Sequence, residues 1–189
     1  MRLVVPRALD RIRHFSCLYL EIVRHKDTGI LYAACSTPAS RTVWEPSVGY
    51  LNSSARSLTD YVATYNPATS RITRLKLTGF PSSIPLALHG FDVVPSDSNP
   101  AELFVYLVNH RPPPKGTKRE YADSVIEVFK TRVDSDELVY VTTVEDSSVI
   151  ISPNDIWGYG DGSFHFTNDA RAKRGIVSIC LLDLYYDAL

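Results

Sequence analysis

Asp60-Tyr-Val-Ala-Thr-Tyr65 and Asp123-Ser-Val-Ile-Glu-Val-Phe129 can be laid on one another. Each opens on an acid and runs on in β-branched and aromatic residues. Each is followed by a polar turn and a second such run, Ile72 to Leu77 or Leu138 to Thr143. The offset between the copies is roughly 65 residues. A parallel set precedes them: Thr28-Gly-Ile-Leu-Tyr-Ala33, Ala101-Glu-Leu-Phe-Val-Tyr106 and Asp161-Gly-Ser-Phe-His-Phe166 each place a turn before an alternating strand. Strand, turn, strand, loop, strand, turn, strand is the plan of one four-stranded antiparallel β-propeller blade. Such a unit leaves a face uncovered when alone, so consecutive units must stack around a shared axis. About two and a half of them fit in the chain, roughly half a propeller.

Outward from this repeat, the predicted strands are Leu20 to Val23, Ile30 to Cys35, Tyr61 to Tyr65, Ile72 to Leu77, Leu88 to Val94, Leu103 to Val108, Val125 to Lys130, Leu138 to Thr143, Asp155 to Trp157 and Ser163 to Thr167. Beyond the first twenty residues no window sustains a helical period, so the fold class is all-β. The 189 residues are read as one partial propeller domain, with 1–17 as an irregular N-terminal extension. Cys35 to Leu58 is long for a structureless loop and reads as a lid or an edge cover. Ile176 to Leu189 suits a final strand or a packing helix, and both stay open. A closed propeller needs about four to eight blades. A shorter array is a fragment, covers its edges, or pairs with a second copy through open edges as a homo-oligomer.

Twenty basic and 21 acidic residues give a net charge of -1, which removes the electrostatic case for a nucleic-acid partner. No apolar run approaches the roughly 20 residues of a membrane span. Arg2, Arg7, Arg11, Arg13 and His14 interrupt the start of the chain, so no secretory apolar core is readable there and the cytoplasm is the default expectation. Cys17, Cys35 and Cys180 have neither metal-motif spacing nor framework density, and are read as buried or free thiols with one long-range disulfide as the alternative.

Leu88-His-Gly-Phe-Asp-Val-Val94, Leu107-Val-Asn-His110, Pro153-Asn-Asp-Ile-Trp-Gly158 and Phe166-Thr-Asn-Asp169 follow one another in that order. The series resembles the paraoxonase/arylesterase family, over roughly Leu20 to Asp169. Fungal members are the most similar and share stretches like Ala34-Cys-Ser-Thr-Pro-Ala-Ser-Arg41. The resemblance implies a six-bladed propeller with calcium in its tunnel, acting on small esters or lactones. It implies that His89 and His110 are the histidine dyad. Asn154 would then offer a side-chain oxygen to a catalytic calcium, Asp155 and the backbone carbonyl of Phe91 would serve a structural calcium, and Asn168 and Asp169 would support the site. The family's acidic pair should fall near Leu18 and Tyr19, where no carboxylate stands. Glu21 is the only acid nearby, and strand alternation is expected to face it elsewhere.

In such a site a metal polarises the carbonyl while a histidine activates water. Each residue also has a structural reading: the histidines as strand ends bonded to backbone, the Asn-Asp pairs as Asx turns. Trp44 and Trp157 are expected to be buried packing. His165 is expected on the face opposite Phe164 and Phe166. His110 to Glu120 reads as a solvated, basic hairpin tip. No nucleophile elbow, P-loop, dinucleotide loop or zinc-protease motif is present. Two other functions stay open: a metal-free protein that binds or cyclises a small apolar molecule, and an inactive interaction module.

Overall fold

A computed structural model describes residues 18–46, 49–56, 59–113, 121–169 and 180–186. The 1–17 extension and the basic turn 170–175 lie outside these residues, as does most of the hairpin tip, 114–120.

The fold is all-β. Its first sheet begins with β1 (Leu18–Arg24) and β2 (Leu31–Ser36), joined by a turn in which Gly29 takes a left-handed φ of 72° and His25 Nδ1 lies 2.9 Å from Thr28 Oγ1. The chain then leaves the sheet through α1 (Pro38–Arg41). Pro38 sits at the start of this turn of helix, and the Thr37 hydroxyl accepts the amide of Ser40 at 3.2 Å as N-cap. A two-stranded hairpin follows, β3 (Trp44–Glu45) with β4 (Tyr50–Leu51). The segment read as a lid or cover therefore carries regular structure. β5 (Tyr61–Asn66) and β6 (Arg71–Arg74) return to complete the antiparallel order β1-β2-β5-β6.

The second sheet is the meander β8 (Leu88–Pro95), β9 (Glu102–Arg111), β10 (Asp123–Arg132) and β11 (Glu137–Val144), with a fifth strand, β7 (Lys76–Thr78), parallel to β11 on its outer edge. The third comprises β12 (Pro153–Gly158), β13 (Phe164–Asn168) and β14 (Cys180–Tyr186) among the described residues. The repeat is realised strand for strand: β2, β9 and β13 are second in their sheets, β5 and β10 third, β6 and β11 fourth. The first strands of the sheets are neighbours, β8 lying against both β1 and β12, which brings the motif-bearing ends of three sheets together.

β9 shows why the sheets stack. Its side chains alternate between two cores, as the period of two demands. Leu103, Val105 and Leu107 join Tyr32, Val62, Leu88, Phe91, Phe129 and Leu138 between the first and second sheets. Phe104, Tyr106 and Val108 join Ile126, Ile156, Phe164 and Phe166 between the second and third. All six β9 residues are buried. A strand with two apolar faces is stable only where both are covered.

Three expectations are corrected and one open alternative is settled. The single strand Ile72 to Leu77 divides at Leu75, whose amide bonds Val62 O at 2.9 Å while the next amide, of Lys76, bonds Asp136 O at 2.8 Å. Burial of Leu75 in the inter-sheet core pins the crossing point, so the two halves serve different sheets. Within Ile176 to Leu189 the chain forms strand β14, because β13 offers it an antiparallel partner. Cys35 is disulfide-bonded rather than free. Trp157 is 68% exposed, since strand alternation aims Ile156, not the indole, into the core.

Candidate functional site

The site is built where β8 starts. Leu88 is fixed by two polar groups: its amide donates to Asp60 Oδ2 at 3.0 Å and its carbonyl accepts from Arg41 Nη1 at 3.2 Å. Between Leu88 and Phe91 the pairing with β9 slips, a bulge that interrupts alternation at His89 and Gly90. The slip aims His89 at β9, where its Nδ1 lies 3.0 Å from His110 Nε2. His110 is held on its other side by the Ser124 hydroxyl, 2.9 Å from its Nδ1, the two residues being direct partners in the β9–β10 register. Trp44 anchors the backbone of the same residue, donating its indole N–H to His110 O at 2.8 Å. His110 is 1% exposed. Burial and the adjacent His89 and Arg41 push its pKa well below the usual imidazole value. Burial, with Arg41 second, lowers that of His89 to about 4. Both rings are therefore neutral at physiological pH.

A second cluster opens beside the dyad. β8 and β12 approach so closely at Gly90 that a Cβ there would lie 2.2 Å from Asn154 O. Asp92 ties the same strands together, its Oδ2 accepting from Gly158 N at 2.8 Å. From β1, a register shift between Tyr19 and Glu21 redirects the Glu21 carboxylate, and its Oε2 accepts the Phe91 amide at 2.7 Å. The expectation that alternation turns Glu21 away is thus overturned by a bulge. Burial raises Glu21 to about 7, and the carboxylates of Asp155 and Asp92 push the same way. Glu21, His89, Gly90, Asn154 and Asp155 line an open pocket of about 220 Å³.

The other anticipated residues fall nearby in supporting places. Asn168, 6% exposed, accepts the amides of Ile151 and Ser152 at 3.1 and 2.9 Å and donates to Val149 O at 3.0 Å. The Asp169 amide bonds Ser152 O at 2.9 Å. Together they fasten the loop that delivers Asn154 and Asp155. His165 stands between the buried Phe164 and Phe166 and bonds the Tyr159 hydroxyl at 2.9 Å, away from the pocket.

Sequence reasoning missed Glu45, Arg41, Asp60 and Ser124. Glu45, 6% exposed, places Oε1 3.4 Å from His89 Nδ1, and its other oxygen pairs with Arg41. Ser124 was within reach of the sequence, because the repeat aligns the strand that carries it and hairpin pairing sets it opposite His110. Nothing in the irregular segment around Glu45 marks it.

Stacked meander sheets that converge on paired neutral imidazoles and an oxygen-rich pocket define an all-β protein with a hydrolase-like polar centre. A family model for arylesterase matches residues 50–185, well over half of the chain. The chain belongs to the arylesterase (paraoxonase) family. No curated protein matches it. Family membership supports a hydrolase-like function in the coarse sense. No helix among the described residues is long and apolar enough to cross a membrane.

Proposed function

We propose that this chain hydrolyses small apolar aryl esters or lactones, with His89 as base and His110 as the residue that orients it. The observation that carries the reading is the 3.0 Å contact between His89 Nδ1 and His110 Nε2 at the wall of a pocket shared with Asn154 and Asp155. With a pKa near 4, His89 is unprotonated at neutral pH and always able to accept a proton from water. The same low value makes it a weak base, so it acts by hydrogen-bond acceptance in the transition state rather than by holding the proton for long. Ser124 and Trp44 fix His110, and His110 fixes His89.

Calcium is the metal that family membership suggests. The residues fit it: Glu21 and Asp155 carboxylates, the Asn154 side chain and the Phe91 carbonyl are all hard oxygen donors. Burial first, and then the carboxylates of Asp155 and Asp92, raise the pKa of Glu21, and a dication offsets both effects by favouring its charged form. When bound, calcium would polarise the ester carbonyl. Glu21 also supplies one of the two acids missing near Leu18 and Tyr19, which weakens the metal-free reading.

The test is turnover of phenyl acetate and of an aryl-substituted lactone by the wild type and by His89→Gln. Turnover at least about a hundredfold above the variant supports the reading. Equal turnover by a folded His89→Gln variant would sink it.

A further inference from the structure

Glu45, His89 and His110 bring one carboxylate oxygen and two imidazole nitrogens within 4.8 Å of one another, and of the three only His89 also lines the oxygen-rich pocket. We propose that these three side chains form a binding site for a borderline-soft divalent ion of the zinc class.

The donor set decides the class of ion. Two imidazoles and one carboxylate suit zinc and its neighbours, whereas calcium prefers six to eight oxygens. The spacing agrees. Around a tetrahedral ion with bonds of about 2.0–2.1 Å, ligand atoms stand about 3.3 Å apart. His89 Nδ1 is 3.4 Å from Glu45 Oε1 and 3.0 Å from His110 Nε2, and all three ligand atoms fall within 4.8 Å of one another, so coordination asks chiefly for Glu45 and His110 to close on each other by up to about 1.5 Å.

The surroundings resemble those of a ligand set. Ser124 Oγ, 2.9 Å from Nδ1 of His110, fixes that ring with Nε2 directed at the cluster, as an outer partner of a metal-bound histidine does. Arg41 holds the second oxygen of Glu45 and fixes its carboxylate, while its positive charge weakens the site relative to one without it. Glu45 and His110 are almost fully buried. His89 also lines the open pocket, so an ion enters from there and takes its fourth ligand from that side. Three protein ligands with one position left is the pattern of reactive rather than structural zinc sites.

The inference stands on geometry and needs no turnover, so it can fail while the hydrolytic reading holds; a His89 ligated through Nδ1 carries its proton on Nε2 and has no basic nitrogen left, so the zinc-bound form is the one in which His89 does not act as the base. The experiment titrates zinc into chelator-stripped protein against a chromophoric zinc indicator, in wild type, Glu45→Gln and Asp155→Asn, and repeats it with cobalt(II). The expected result is about one equivalent bound by wild type and by Asp155→Asn, with affinity at least about tenfold weaker in Glu45→Gln. Cobalt should give visible bands of tetrahedral strength, a readout on wild type that does not depend on any variant folding. Absence of zinc binding to wild type, a purely octahedral cobalt spectrum, or an affinity lost in Asp155→Asn but kept in folded Glu45→Gln overturns the proposal.

Discussion

Gly90 and Asn154 meet backbone to backbone: the first strands of two sheets come so near that a methyl group on Gly90 would stand 2.2 Å from the Asn154 carbonyl oxygen and 2.9 Å from Asp155 Cα. Backbone cannot swing aside as a flexible side-chain tip can. Gly90→Ala is therefore expected to cost about 3 kcal/mol or to separate the strands. Urea midpoints at constant slope check this, and a loss under about 0.5 kcal/mol would show that the approach is looser than described.

Removing Ser124 should act on His110 without touching substrate. Ser124→Ala leaves the imidazole with one fixed nitrogen rather than two. Turnover number should fall about tenfold with little change in KM. A change confined to KM would place Ser124 in substrate binding instead.

Acid should destabilise the protein through His89. Its pKa is depressed from 6.5 to about 4, so between those values the unfolded chain binds more protons than the folded one. The stability that neutral His89 contributes is complete above pH 6.5 and is lost as pH falls toward 4. In chelator-treated samples, folded wild type should lose about 2 kcal/mol more than His89→Gln between about pH 7.5 and pH 5. Parallel losses in the two proteins would assign the acid sensitivity elsewhere.

Calcium should stabilise the native state by mass action, by about 3 kcal/mol at a hundredfold excess over its dissociation constant. Glu21→Gln should abolish most of this response. The same variant should be more stable than wild type in the metal-free form, because burial and Asp155 disfavour a charged Glu21. Identical calcium shifts in Tm for the two proteins would remove Glu21 from the metal site.

Asn168→Ala deletes three hydrogen bonds and leaves the buried Ser152 amide without its acceptor, while the Ile151 amide keeps Val149 O at 3.1 Å. A cost of about 2–3 kcal/mol is expected, with a weaker calcium response because Asn154 and Asp155 follow that loop. An unchanged calcium response in a destabilised protein would confine Asn168 to stability.

The strand order was legible because every second, third and fourth strand repeats one grammar of turn and alternation. Asp60 and Asp123 open equivalent strands, and Thr28, Ala101 and Asp161 open others. The histidines and the Asn-Asp pair were legible from short motifs. Glu21 was not, because its orientation depends on a bulge, and a one-residue slip reverses the face to which a side chain points. Glu45 was not, because it reaches His89 from a hairpin with no periodicity of its own. Leu75 was hidden for a third reason: a buried apolar residue looks alike in mid-strand and at a crossing between sheets.

That crossing has a mechanical meaning. β6 ends at Arg74 in one sheet, and Lys76, just past Leu75, begins a strand on the far border of the next, against β11. Peeling the first sheet away thus pulls directly on the second. The two are expected to melt in one step, and β7 covers the border of β11 along Glu137–Val139.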